Sequence, residues 1–152
     1  MLQTKVVLAP IDFSALSRDA VETAAALAAK FSAALVLVHV VPALPKLPPD
    51  VSIFKEGEYE RRLQDDAAKR VAELVAKYTQ TGLSVRSEVG VSNDVAMEIV
   101  RIAERQKADL IVLGSHGVTG WNKLVFGSVA EKVVHAAHCA VLVQKVAPVD
   151  KG

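Results

Sequence analysis

A chain of 152 residues with 51% hydrophobic composition is long enough for one domain with a substantial core and too short for two ordinary ones. Its formal net charge of +1, with 23% charged residues of both signs interspersed, offers no basic stripe for nucleic acid and no acidic solvating tail. The longest apolar run, 33–41, contains His39 and falls well short of the roughly 18 residues that a membrane span needs. The run 6–11 is too short for a signal-peptide core and stops at Asp12, so a soluble, unexported, cytoplasmic protein is expected. The one cysteine, Cys139, cannot form an internal disulfide and fits a reducing compartment, packed as a small apolar residue near the last strand.

In chain order, residues 5–10 (KVVLAP) predict a strand, and Asp12-Phe13-Ser14 a loop. A long alanine-rich helix to about Phe31 follows, capped by Ser14 or Ser17, with Val21, Ala25, Ala28 and Phe31 on its inner face. Residues 33–41 (AALVLVHVV) have the near-continuous branched content of a strand covered on both faces, hence a parallel and central one. Pro42, Pro45, Pro48 and Pro49 then break regular structure to about Gly57. A second helix over 58–78 carries the stripe Leu63, Ala67, Val71, Leu74 and Tyr78, and Gly82 closes it. Residues 83–89 predict a shorter, more polar edge strand, with 90–93 turning the chain and Ser92 or Asn93 capping a third helix. That helix ends near Gln106, with Val95, Ile99, Ile102 and Ala103 inward. A fourth helix from Ser128 to about Ala137 would bury Val129, Val133 and Ala136, and residues 140–146 predict a fifth strand. Residues 1–147 are read as one domain and 148–152 as a frayed tail.

The most informative stretch is 110–129, LIVLGSHGVTGWNKLVFGSV. A short apolar strand, 110–113, runs into glycines at Gly114, Gly117 and Gly120, and Gly127-Ser128 opens a helical pattern. Glycines allow backbone N–H groups to approach a ligand, and a helix start leaves its first N–H groups unpaired at the positive end of its dipole. The pattern is that of an anion site of the kind that takes phosphate, although the same glycines would serve a bare tight connection between strand and helix. Strands alternating with helices predict an α/β fold: a doubly wound, five-stranded parallel sheet in the order 3-2-1-4-5 with helices on both faces. In that order the first and fourth strands are neighbours, and Asp12 and Gly114 meet at the crevice between their C-terminal ends.

The spacing Gly114-x2-Gly117-x9-Gly127-Ser128 resembles the nucleotide signature of the ATP-binding branch of the universal stress protein family. Pro10-x-Asp12-x-Ser14 and His39-Val40 resemble that family's P-x-D-x-S and L-H-V, so the resemblance runs over nearly the whole chain and is weakest in the proline-rich stretch. It implies a Rossmann-like sheet akin to the adenine-nucleotide alpha-hydrolases. It also implies a regulatory or sensing role in the stress response, with an adenine nucleotide, ATP carrying Mg²⁺ or Mn²⁺ on its phosphates, as ligand. By the resemblance Pro10, Asp12, Val40, Leu113, Gly114, Gly117, Gly127, Ser128, Val129 and Ala130 form the nucleotide site. Asp12 would take the ribose or base edge, and the Val40 backbone would read adenine. Gly114 and Gly117 would line the phosphate path, and Gly127, Ser128 and Val129 would hold phosphates through N–H groups, with the Ser128 hydroxyl adding a donor. A carboxylate suits ribose hydroxyl donors, though Asp12 could equally be a turn residue ahead of the first helix. Ala130 stands where many members carry Ser or Thr, which implies weaker binding. Ala140 replaces a usual proline, and Val91-Ser92 occupies a turn that often holds one. The resemblance further implies a homodimer, with the edge Val141, Leu142, Val143 and Val146 pairing antiparallel with its copy.

Catalytic readings are weaker. His116 has no evident acid partner in sequence, and His39 at a strand end reads as structural. His135 and His138 lack a second ligand pair beyond Cys139. Lys123 reads as a solvated lysine that could meet a terminal phosphate, and Trp121 as a flap. There is no G-x4-G-K-[ST], no G-x-G-x-x-G after the first strand and no G-x-S-x-G elbow. Nor is there the H-x-G-H or S-G-G-x-D-S of related adenylating enzymes. Little or no turnover is therefore expected. The alternatives are a dimeric interaction module that binds no nucleotide, and a slow nucleotide hydrolase or phosphotransferase using His116 or Asp12.

Overall fold

In the computed structural model, residues 3–45, 56–116 and 126–145 are described. The elements in chain order are β1 (Val6–Pro10), α1 (Ala15–Phe31), β2 (Ala34–Pro42), α2 (Glu56–Thr79), β3 (Val85–Ser92), α3 (Val95–Arg105), β4 (Leu110–Gly114), α4 (Ser128–Ala136) and β5 (Ala140–Gln144). The strands form one sheet in the order β3-β2-β1-β4-β5, every pair parallel, as the sequence predicts.

Two-residue alternation along the strands divides the core. Val7 and Ala9 of β1, Leu35 and Leu37 of β2 and Val112 of β4 face one side, where Ala20, Val21, Ala24 and Ala28 of α1 and Val71 and Tyr78 of α2 close over them. Leu8, Val36, Val38, Ile111 and Leu113 face the other side, against Ile99, Ile102 and Ala103 of α3 and Ala130 and Val133 of α4. Strands covered on both faces must be apolar at consecutive positions, which is why 33–41 is apolar at every position but His39. The alanines of α1 let that helix lie close to the sheet.

Four local expectations are corrected. Phe31 is 45% exposed, because Ser32 in the left-handed conformation (φ 53) ends α1 one residue later and the buried face stops at Ala28. Gly90 and Val91 do not turn the chain: β3 continues through them, Gly90 pairing with Val40. The glycine there answers to packing, since a Cβ would lie 3.1 Å from Glu98 Cγ and 3.4 Å from Ile102 Cδ1 of α3. The cap of α3 is neither Ser92 nor Asn93 but Asp94, whose carboxylate accepts from the Met97 N–H at 3.1 Å; Ser92 Oγ accepts in turn from the Asp94 N–H. In α4 Val133 and Ala136 pack inward as expected, but in the first turn the buried residue is Ala130, with Val129 37% exposed. Gly82 does end α2, at φ 91. Pro48, Pro49, Gly117, Gly120, Trp121, Lys123, Val146 and the 148–152 tail lie outside the described residues.

Candidate functional site

The crevice is a consequence of the winding. β1 and β4 pair side by side, with Val7 opposite Leu110 and Leu8 opposite Ile111. The connection from β1 leads to α1 on one face, and that from β4 leads to α4 on the other. The loops after Pro10 and Gly114 therefore open onto the same C-terminal end of the sheet, at the switch point.

After β1 the loop is held at several atoms. The Ile11 N–H donates to the Val38 carbonyl of β2 at 2.7 Å. Asp12 Oδ1 accepts from the Ser14 N–H at 2.9 Å and from the Ser14 hydroxyl, and the Asp12 N–H reaches Ser17 Oγ at 3.3 Å. Ser14 caps α1 by accepting from the Ser17 N–H at 3.2 Å. The turn role weighed for Asp12 is thus real; a carboxylate has further acceptor capacity, and the ribose role stays compatible with it. His39 closes the same loop from β2, its Nδ1 lying 2.6 Å from the Ile11 carbonyl, which makes it a satisfied structural histidine.

Val40 sits beyond the last β1–β2 pair, Pro10 with Val38, while still paired with Gly90 of β3. On the β1 side its backbone has passed the end of the ladder, the placement that an adenine-reading backbone needs.

After β4 the chain is pinched at a neck. The Gly127 N–H donates to the Ser115 carbonyl at 2.7 Å, and the Ser115 N–H donates to the Gln144 carbonyl of β5 at 2.8 Å. This alters the part given to Gly127, whose N–H here closes the loop. The first-turn donors that a helix leaves unsatisfied then belong to Ser128, Val129 and Ala130. The cap, Gly127, supplies no side-chain acceptor, so those donors have no competitor from the N-cap side chain. Ser128 and Val129 are exposed, whereas Ala130 is buried by its side chain. Leu113 is buried in the core, so only its backbone is placed to contribute. Gly114 also meets a packing constraint: a Cβ there would stand 3.0 Å from Leu16 Cγ of α1, a tight contact that the Leu16 side chain would have to relieve.

His116 is held by its neighbour, with Nδ1 2.9 Å from Ser115 Oγ, while its Nε2 is buried without a hydrogen-bond partner among the described residues. His138 pairs with Glu104 at 3.1 Å, remote from the loop motifs in sequence. Burial, reinforced by the Asp109 charge, pushes the Cys139 thiol above its ordinary pKa, so it is a packed thiol rather than an activated one. Sequence reasoning missed the neck residue Ser115 and the ring of Phe13. The S in SHG signals neither, since Ser115 acts mainly through its backbone; Phe13 could have been suspected only from its place between two motif residues.

A family model described as the universal stress protein family matches residues 3–145. The chain belongs to that family. Universal stress protein MJ0531 of Methanocaldococcus jannaschii is 36% identical over 143 residues, spanning 93% of this chain and 82% of the relative. Among solved structures, hypothetical protein MJ0577 superposes with a TM-score of 0.82 at 27% identity, covering 97% of this chain and 99% of the other. A universal stress protein from Archaeoglobus fulgidus in complex with dAMP shares the fold at a TM-score of 0.60 and 20% identity, over 95% of this chain and 100% of the other. Another family structure, in complex with cAMP, has a TM-score of 0.63 at 21% identity, over 95% of this chain and 99% of the other.

Proposed function

We infer that this universal stress protein binds an adenine nucleotide, ATP with Mg²⁺ or Mn²⁺ carried on its phosphates, and holds it with little or no turnover as a cytoplasmic sensor or regulator in the stress response. The observation that carries this reading is the start of α4, which has no side-chain cap and opens onto the same end of the sheet as the Asp12 loop. Unpaired N–H groups at a helix start favour phosphate, and a carboxylate at the other side of the crevice suits ribose hydroxyls. Adenine nucleotides bound to two family members of the same fold agree with this choice of ligand. The residues of this chain then divide the work: the first turn of α4 takes the phosphates, Asp12 orients the ribose, and the Val40 backbone meets the base. Divalent metal, when present, would neutralise phosphate charge. The protein acts as a homodimer through β5.

The test is to release and identify whatever copurifies with the protein, and to titrate MgATP into ligand-free protein by calorimetry. Saturable binding with displacement by dAMP is expected. Absence of both a copurifying adenine compound and a binding isotherm at millimolar ATP overturns the reading in favour of an interaction module.

A further inference from the structure

Phe13 lies between the two motif residues Asp12 and Ser14 and has φ 65, a left-handed conformation that a bulky L-residue rarely adopts. Such a conformation persists only where the surroundings over-determine it. Phe13 packs at the margin of the core under α1 and α2, and two groups from different elements add to that constraint. The Arg70 guanidinium of α2 stands 3.8 Å from the Phe13 ring centroid, and the His39 ring of β2 packs at 4.9 Å between centroids, tilted by 44°. His39 is itself bonded to the Ile11 carbonyl, one residue before Asp12, so the contacts return to the loop from which they start. Arg70 is exposed, which separates it from the buried stripe of α2 formed by Ala67, Val71 and Tyr78. Its position is explained by the ring it covers and not by core packing.

We propose that Arg70 is a positioning residue for the ligand loop: by stacking on Phe13 it holds the left-handed turn that sets the Asp12 carboxylate at the crevice, so that the placement of α2 governs nucleotide affinity. The part of this that concerns affinity rests on the nucleotide-binding reading, whereas the holding of the loop does not. Glycine adopts a left-handed conformation without cost, so Phe13→Gly removes the ring while leaving the turn accessible. Arg70→Met removes the charge and keeps the aliphatic stem, and Arg70→Lys restores a cation without the planar group. Lys77→Met, a cation lost elsewhere on the same helix, is the control.

The experiment has two arms, both run on variants whose melting temperatures show that they fold. In ligand-free protein, amide resonances of residues 12–14 are compared by NMR. Arg70→Met is expected to shift them and to speed exchange of the Ser14 N–H, with Arg70→Lys in between and Lys77→Met silent. In calorimetry, Arg70→Met and Phe13→Gly are each expected to bind MgATP about five-fold more weakly, the scale of one partly exposed cation–π contact. The double variant should be no weaker than Phe13→Gly alone, because removing the ring already removes the Arg70 contact. Unchanged resonances in Arg70→Met overturn the proposal whatever the affinity. Shifted resonances with unchanged affinity also overturn it, leaving the stack as surface packing. If wild-type protein binds no nucleotide, the functional reading fails, and the resonance arm alone decides whether Arg70 holds the loop.

Discussion

Glycine signals in this chain have separable causes that only the structure distinguishes. Gly114 reads as a phosphate-path residue in sequence, yet its missing Cβ also gives room to Leu16 of α1, whose Cγ lies 3.0 Å from where that atom would be. Gly114→Ala is therefore expected to lower stability by about 1–2 kcal/mol through overpacking, with Leu16→Ala restoring room, so that in urea unfolding the double variant loses less than the two single losses added together. Strict additivity would show that the contact does not matter. Asp12 and Ser14 are legible as a motif, and the D-x-S spacing already admits the turn that Asp12 makes with the Ser14 N–H; that the Ser14 hydroxyl also donates to the same oxygen is seen only in the structure. At the α4 start, Ser128→Ala should weaken ATP binding by about 1 kcal/mol, the worth of one hydrogen bond, since the backbone donors survive the change. A loss of a hundred-fold or more by calorimetry would move the main phosphate contact from backbone to hydroxyl.

At the scale of elements, apolar runs gave strand existence and order reliably, since both faces of a doubly wound sheet must be covered. Ends were less legible: β3 runs through Gly90, and the α3 cap is one residue later than expected, because tertiary packing overrides a local turn signal. The two sheet edges differ in kind. β3 presents Arg86 and Glu88, the latter bonded by Arg105 and Gln106 of the α3 end, whereas β5 is AVLVQ with Val141, Leu142 and Val143 half-buried. A charged edge resists pairing and an apolar one invites it. Val143→Lys should thus shift a β5-paired dimer toward monomer in light scattering at micromolar concentration, while Arg86→Ala should not; a wild-type monomer at that concentration removes the dimer.

α3 is also where acid should act. Burial raises the Glu88 carboxyl pKa, but hydrogen bonds from Arg105 and Gln106 and the Arg105 charge outweigh it and hold the group below its ordinary value. Asp94 is held low by Lys132 of α4 and the Met97 N–H. Groups with depressed folded-state pKa values stabilise the fold above their unfolded values and lose that contribution as pH falls through the folded ones. The melting temperature should hold at neutral pH and drop as pH passes below the usual carboxylate range of about 4. Glu88→Gln should flatten that drop; an acid limb of equal steepness in the variant places the effect elsewhere.

For the whole molecule the question is whether a bound nucleotide is turned over. The sheet order brings the Asp12 loop and the α4 start to one end, as the proposed nucleotide site requires, but phosphoryl transfer also needs an aligned and activated nucleophile. Among the described residues the groups nearest to that task are already engaged: Asp12 Oδ1 by Ser14, and His116 Nδ1 by Ser115 Oγ. A histidine bonded to a neighbouring serine, with no carboxylate bonded to its other nitrogen among the described residues, is poorly placed to draw a proton from water at the far end of a triphosphate. Binding should therefore be visible as stabilisation, about 2.7 kcal/mol at ATP one hundred times above its Kd, without matching phosphate release. Single-turnover release from MgATP should be orders of magnitude slower than the roughly 1 to 100 per second of kinases, and His116→Ala should leave it nearly unchanged. A rate near 1 per second that collapses in His116→Ala would instead make the Ser115–His116 pair catalytic, with the imidazole as the proton acceptor.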